Sequence, residues 1–336
     1  MKQLKVSVVS ESEFSVQGHG VHTAYVELTN ALKKLSDVEV VVNQRGPADI
    51  THLHTVGIYA LRRLLWDKNK KVVSAHILPA SLVGSLVGAK VWLPLAKAYL
   101  RWFYNKADLV FAVSDETRRG LQKMGVKKPI EIVYNTIDTG RYLTTPADKA
   151  AARTELKIAP DAWVVVGAGQ VQPRKRLDSF IAASRQLPDV QFVWVGGMPF
   201  GRLAADHAGM ERLIAQAPPN FTCTGVIDHV DVKRYYQASN VFWLPSEQET
   251  FGLVVVEAAA AGLPVILRDI PDYAETFATD AILTDDAHVS EHITTLRDDQ
   301  AAYTKAVEQA SRIATRYDSL NGAVEVRATY DKLLGR

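Results

Sequence analysis

The chain has 336 residues, 47% hydrophobic and 23% charged, which excludes a disordered or fibrous protein and leaves room for two domains with separate cores. Its one cysteine, Cys223, excludes an internal disulfide and a cysteine-based metal cluster and points to a reducing compartment. The net charge of +2 conceals a basic block: residues 51–130 carry 14 Lys and Arg against 4 Asp and Glu. Such a block suits a polyanion, an anionic membrane surface or a phosphorylated ligand, and an ordinary solvated basic face produces the same count.

In chain order, the apolar run at 4–10 is too short for a secretory signal and reads as a first strand. Further β-branched runs at 38–43, 50–54, 71–76 and 109–114 read as buried parallel strands. Between them, AYVELTNALKKL (24–35) is apolar at helical spacing, with Lys33 and Lys34 outward. Residues 77–108 have an apolar body flanked by Lys90, Lys97, Arg101 and Lys106 and interleaved with Trp92, Tyr99, Trp102, Phe103 and Tyr104. Pro94 is expected to split this stretch into two helical pieces. Basic and aromatic residues on apolar helices suit the interface of an anionic bilayer, and a core helix with solvated lysines fits them too. No stretch reaches the roughly 20 apolar residues of a membrane span.

Residues 144–162, polar and with two prolines, read as a junction. A second series of strands follows at 162–169, 190–197, 241–246 and 263–269, and a helix closes the chain at 317–334. Two successive βαβ series predict an α/β protein of two doubly wound, Rossmann-like domains facing each other across a cleft, at 1–150 and 151–316, with residues 317–336 as a terminal helix.

One stretch, EQETFGLVVVEAAAAGLPVI (247–266), raises a chemical question. Glu257 stands among valines and alanines fit for burial, where a carboxylate costs several kcal/mol unless paired. Gly252 precedes a run of helix formers, and Gly262 with Pro264 is a stop signal, so a helix is expected at about 252–261. Its first free amides, at Gly252, Leu253 and Val254, together with the helix dipole form a phosphate site. A side chain at Gly252 would hold a diphosphate off the backbone. Glu257 lies about 7 Å further along the axis, where it can accept two hydrogen bonds from a vicinal diol such as a ribose. Glu249, in the preceding loop, would meet a sugar on the other side. The alternative pairs Glu257 with a cation such as Arg268 and leaves Glu249 an exposed loop residue.

The pattern E-x-F-G-x-x-x-x-E-A-x-A-x-G-x-P-V-I resembles the nucleotide-sugar signature of family-4 retaining glycosyltransferases, which have the two-domain GT-B fold. The resemblance implies that Glu257 binds the donor ribose, that Glu249 meets the donor hexose, and that the backbone of Phe251, Gly252 and Leu253 cradles the diphosphate and sugar. GAGQVQPRKRLD (167–178) resembles the loop after the first strand of the donor half, usually G-R-L-x-x-x-K-G. There Gly169 lies in the loop and Lys175 matches the lysine that neutralises the diphosphate. Gln170 replaces the usual arginine, a charge that Arg174 is expected to supply. Gln with an Arg-Lys pair is similar to diacylglycerol glucosyltransferases of Gram-positive bacteria. TGVIDHVDVKRYYQASNVFWLPS (224–246) resembles the segment that contacts the base, which makes Val226 a backbone contact.

In the N-terminal half, VQGHGVHTAYVELTNAL (16–32) resembles the glycine loop and helix near the diphosphate, with Gly20 closest and His19 in place of the first glycine. His76, ending a strand, matches the active-site histidine, although Ile77 replaces the usual aspartate after it. The resemblance thus implies an N-terminal domain facing acceptor and membrane, a C-terminal donor domain, and a terminal helix returning to the first. It implies no cofactor beyond the donor UDP-sugar and no metal ion, and no Asp-x-Asp stands at a strand end to hold Mg²⁺.

Other chemistries fit less well. A dinucleotide fingerprint at Gly167 and Gly169 fails because Gln172 stands where the third glycine belongs. His52 with His54, and His19 with His22, lack the carboxylate or cysteine spacing of a zinc site. The expected activity is retaining transfer of a hexose, glucose from UDP-glucose, to a lipid hydroxyl such as that of diacylglycerol. The expected setting is the inner face of the plasma membrane, met through residues 77–108, with no nucleic-acid partner. A transferase for a soluble acceptor and an inactive nucleotide-sugar sensor are the alternatives.

Overall fold

The computed structural model describes residues 3–14, 20–79, 89–199 and 206–336, apart from the side chains of 89–92. His19, most of the expected glycine loop, and the side chains of Lys90 and Trp92 lie outside the described residues. The chain forms two compact units. One takes the described residues among 1–82 with Lys90–Asp138 and Tyr317–Arg336; the other is built on Thr139–Arg316.

In the first unit β1 (Leu4–Val9), β2 (Val38–Val42), β3 (Ile50–Leu53), β4 (Lys70–Ala75), β5 (Leu109–Ala112) and β6 (Ile130–Ile132) form a sheet in the order β2-β1-β3-β4-β5-β6. All its pairings are parallel, and Val8 lies between Val42 and His52. The strands read as unbroken apolar runs because both faces are covered. On one face, Val8, Ile50, Val72 and Phe111 pack against Tyr25 and Leu32 of α1 (Gly20–Lys33) and against Val326 and Tyr330 of the C-terminal helix (Ser319–Leu334). On the other, Val9, Leu53, Val73 and Ala112 meet α2 (Ile58–Trp66), α3 (Ala89–Tyr104) and α4 (Asp115–Met124).

Pro94 does not split its stretch: α3 runs through it as one helix. The lost hydrogen bond costs about 3 kcal/mol, but the C-terminal half of the helix buries Leu100, Phe103 and Tyr104 against the sheet and holds it together. Phe103 and Tyr104 are therefore core residues, not part of a bilayer-facing surface.

In the second unit β7 (Val164–Ala168), β8 (Gln191–Val195), β9 (Phe221–Cys223), β10 (Val241–Leu244), β11 (Val265–Arg268) and β12 (Ile282–Thr284) pair in parallel in the order β12-β11-β10-β7-β8-β9. Its helices are α5 (Pro146–Glu155), α6 (Leu177–Gln186), α7 (His207–Ala215), α8 (His229–Ala238), α9 (Leu253–Ala260), α10 (Val289–Asp298) and α11 (Gln300–Arg316). α5 opens on a capping box in which Thr145 and Asp148 satisfy each other's backbone amides. The strand order reverses at β7, which has β8 on one side and β10 on the other. In such sheets the loops leaving the carboxyl ends of the strands at this switch point part and leave a crevice for ligand.

Candidate active site

The loops after β7 and β10 leave the sheet at this reversal. The first passes Gly169, at φ +141°, into a short helical turn, Pro173–Lys175. It packs closely on its neighbour: a Cβ at Gly196 would sit 2.2 Å from the Gly169 carbonyl oxygen. The loop after β10 carries Glu249 and ends at Gly252, the left-handed cap of α9 at φ +97°, where an L side chain is strained. α9 begins at Leu253, with Phe251 packed on Phe277 before it.

These two loops are joined by a buried ion pair. Lys175 Nζ donates to Glu249 Oε1, and both residues are over 90% buried. Arg174 lies 3.7 Å from the other carboxylate oxygen and is held by Gln172 Oε1 and the Gln248 carbonyl. Asp272 accepts the Glu249 amide at 2.6 Å. Burial pushes the Glu249 carboxyl up, but Lys175 and Arg174 pull it further down, so it stays below its ordinary value. Burial, with Arg174 alongside, lowers Lys175 despite the attraction of Glu249. The glutamate is thus not the exposed loop residue of the alternative reading. The cations of 174–176 also divide their work. Arg176, itself left-handed at φ 53°, is engaged by Asp178, Glu247 and Asp286, whereas Arg174 and Lys175 turn to Glu249.

Glu257, 2% exposed, is not paired with Arg268, which binds Asp286, Ser179 and the Pro245 carbonyl. His229 Nε2 donates to one of its oxygens and Tyr236 OH to the other, each at 3.0 Å. The bond to Glu257 raises the His229 pKa against burial. Tyr142 packs on Tyr236 and is pushed up by burial and by the Glu257 charge. Tyr142 makes a third hydrogen bond to this carboxylate, so of its roughly four lone-pair sites one stays open to a diol hydroxyl. Val226 is 64% exposed, and its amide nitrogen lies 2.6 Å from where a Gly197 Cβ would stand.

In the first unit, His76 directly follows β4 and is 9% exposed; its Nε2 lies 3.3 Å from His54 Nδ1. Gly20 opens α1, with nothing among the described residues within 4 Å of an added Cβ. Sequence reasoning missed the partners of Glu257. His229 and Tyr236, seven apart, share one face of α8, and that spacing was the available signal. Among the described residues no cluster of three His, Cys, Asp or Glu could hold a metal ion.

Two family models match the chain. One, described as Glycosyltransferase Family 4, covers residues 21–141; the other, Glycosyl transferases group 1, covers 148–313. An alpha-galactosylglucosyldiacylglycerol synthase of Streptococcus pneumoniae is 31% identical over 278 residues, which cover 81% of this chain and 74% of that protein. A processive diacylglycerol alpha-glucosyltransferase of Acholeplasma laidlawii is 27% identical over 271 residues, 80% of each. The structure of Anabaena HepE in complex with UDP-glucose superposes with a TM-score of 0.77 at 20% identity, covering 98% of this chain and all of that one. Fold and sequence together define a nucleotide-sugar-dependent glycosyltransferase of the GT-B type. The chain belongs to glycosyltransferase family 4 and is related to the bacterial diacylglycerol glucosyltransferases.

Proposed function

We propose that this enzyme transfers glucose from UDP-glucose to the hydroxyl of a membrane lipid, diacylglycerol or a glycosylated diacylglycerol, with retention at the anomeric carbon. Both relatives carry diacylglycerol in their names, one is an alpha-glucosyltransferase by name, and HepE is a fold relative with UDP-glucose bound. The donor assignments follow the chemistry of the second unit. Glu257 accepts from a ribose hydroxyl, Glu249 from the hexose hydroxyls, and the amides at Phe251, Gly252 and Leu253 meet the diphosphate, with Val226 at the base and Gly169 keeping the first loop open. Lys175 has three ammonium donors; one goes to Glu249, and the others can serve the diphosphate.

In the reaction, the bond between the anomeric carbon and the diphosphate oxygen breaks, and its electron pair leaves with the diphosphate. The lipid hydroxyl oxygen bonds the same carbon from the same face, and its proton passes to the departing phosphate oxygen. Lys175 and Arg174 stabilise the charge that accumulates there. His76 positions the hexose or the incoming hydroxyl, and Gly20 lets the α1 backbone approach.

The observation that carries the lipid reading is an exposed apolar and basic face on α2 and α3. Ile58, Leu65 and Trp66 recur on the outer face of α2 with Arg62, and Trp66 is 68% exposed. Leu95, 76% exposed, and Trp102 continue it on α3, near Lys97, Arg101 and Lys106, and the Lys106 ammonium lies 5.8 Å over the Trp102 ring. Both helices cover the same side of the first sheet. Apolar side chains ringed by cations suit shallow insertion into an anionic leaflet. No helix among the described residues is long and apolar enough to cross a membrane, and the reading requires only peripheral attachment, at the inner face of the plasma membrane.

Labelled UDP-glucose, offered with anionic vesicles containing diacylglycerol and separately with soluble sugars, tests the reading. The expected product is an α-linked glycolipid; transfer to soluble acceptors alone would refute it. Trp66→Ser and Trp102→Ser should each weaken co-sedimentation with anionic vesicles about tenfold, as loss of a buried aromatic implies. Donor hydrolysis without acceptor should be unchanged in both variants. Vesicle binding at the wild-type level would remove this face from the membrane contact.

A further inference from the structure

His54 directly follows β3, beside His76, and no role has been assigned to it. It is 97% buried, its ring lies 5.6 Å from that of His76 in a stacked arrangement, and its Nδ1 meets His76 Nε2 at 3.3 Å. The Tyr25 ring of α1 packs edge-on to it at 5.6 Å. Its remaining nitrogen, Nε2, is buried with no hydrogen-bond partner among the described residues. A neutral imidazole presents one donor and one acceptor, and leaving either unmet in the interior costs free energy. Beside it is a cavity of about 20 Å³, lined by Ala24, His54, Ser74, His76, Asn135 and Gly322 among others. One water molecule needs at least about 10–15 Å³ and two or more polar partners.

We infer that His54 is a positioning residue for His76, holding its ring through Nδ1 while a single water in this cavity satisfies Nε2. The cavity closes where α1, the segment after β6 and the C-terminal helix meet the ends of β3 and β4. Gly322 comes so close to Thr136 that an added Cβ would lie 2.6 Å from its hydroxyl oxygen. His52, on the same face of β3, is taken by Ser74 Oγ at 2.8 Å and Tyr330 OH at 2.7 Å, and its ring lies 4.2 Å from that of His54. The His54 ring therefore has little freedom, and neither does a His76 ring hydrogen-bonded to it.

The inference rests on the reading of His76 as a residue that meets donor or acceptor, and side-chain length separates the two. An asparagine amide reaches where Nδ1 stands, a glutamine amide where Nε2 stands. His54→Asn should keep kcat within a few-fold of wild type, whereas His54→Gln should lower kcat about 100-fold with little change in the donor KM, the scale of a misplaced reacting group. Equal losses of kcat in both variants, in step with their melting temperatures, would overturn the inference in favour of a packing role. Wild-type activity in both would overturn it too. His76→Ala tests the underlying reading on its own: full activity there discards the role of His76, while an inactive His76→Ala beside indistinguishable His54 variants discards only the positioning role. A crystal structure showing the cavity empty would remove the water.

Discussion

Lys175→Met is expected to lower kcat/KM about 1000-fold and to destabilise the second unit as well. The catalytic loss is that of removing one preorganised cation from a site of charge development. The structural loss arises because Glu249 is buried and, among the described residues, Arg174, 3.7 Å from its other oxygen, is the cation left to it. Stranding a buried charge costs about 3–5 kcal/mol, and Arg174 keeps the figure near 3. One variant therefore cannot separate a lysine that serves the diphosphate from one that neutralises a glutamate. Lys175→Met combined with Glu249→Gln can. With both charges gone, urea unfolding should recover most of the lost stability, since replacing both members of a buried pair is often neutral. Steady-state transfer should stay as low as in the single variant. If activity returned together with stability, the lysine would be scaffolding and the donor assignment would fail.

That pair also marks the limit of what was legible from residues alone. The pattern around Glu249 and Glu257 pointed to the family, and Lys175 stood at a recognisable loop position. That Lys175 and Glu249, 74 residues apart, share one hydrogen bond follows from β7 and β10 being neighbours in the sheet, an adjacency no local pattern encodes. The alternative reading paired Glu257 with a cation on β11; the structure instead gives it an imidazole and a phenol on α8, because α9 turns its one carboxylate away from that strand's arginine. Strand legibility followed burial. The β-branched runs of β1, β7 and β10 are covered on both faces and announce themselves. β6, β9 and β12 went unrecognised: each has three residues and lies at a sheet edge, where half-buried positions need no apolar run. Pro94 misled for the opposite reason, since tertiary burial overrode a local rule.

Mild acid should destabilise the first unit before the second. His52 and His54 are fully enclosed. Burial, with the neighbouring histidines, lowers His52 to about 3 and His54 well below its ordinary value. In the unfolded chain each takes up a proton near pH 6.5. The folded pKa values are depressed, so below about pH 6.5 the unfolded state binds more protons and stability falls as pH falls. Each histidine contributes a slope that rises to about 1.4 kcal/mol per pH unit below its unfolded pKa, so the two together remove about 3 kcal/mol between pH 6.5 and 5. That is a large share of the roughly 5–15 kcal/mol that holds a domain folded. In the second unit the raised pKa of His229 acts with the opposite sign: its stabilisation is fully present below the unfolded pKa and is lost as pH rises through the folded value. The depressed Glu249 begins to matter only nearer its unfolded value, about pH 4.3. Urea unfolding followed at pH 7, 6 and 5 should therefore show an early transition that moves strongly with pH. In His52→Gln, which keeps hydrogen-bonding groups for Ser74 and Tyr330 but cannot titrate, its pH slope should fall by about half. An unchanged slope would mean that these histidines are already protonated in the folded protein, contrary to their burial. Protonation makes both His52 nitrogens donors, so whichever of Ser74 Oγ and Tyr330 OH now donates to the ring must turn, and the Tyr330 contact ties that change to the C-terminal helix.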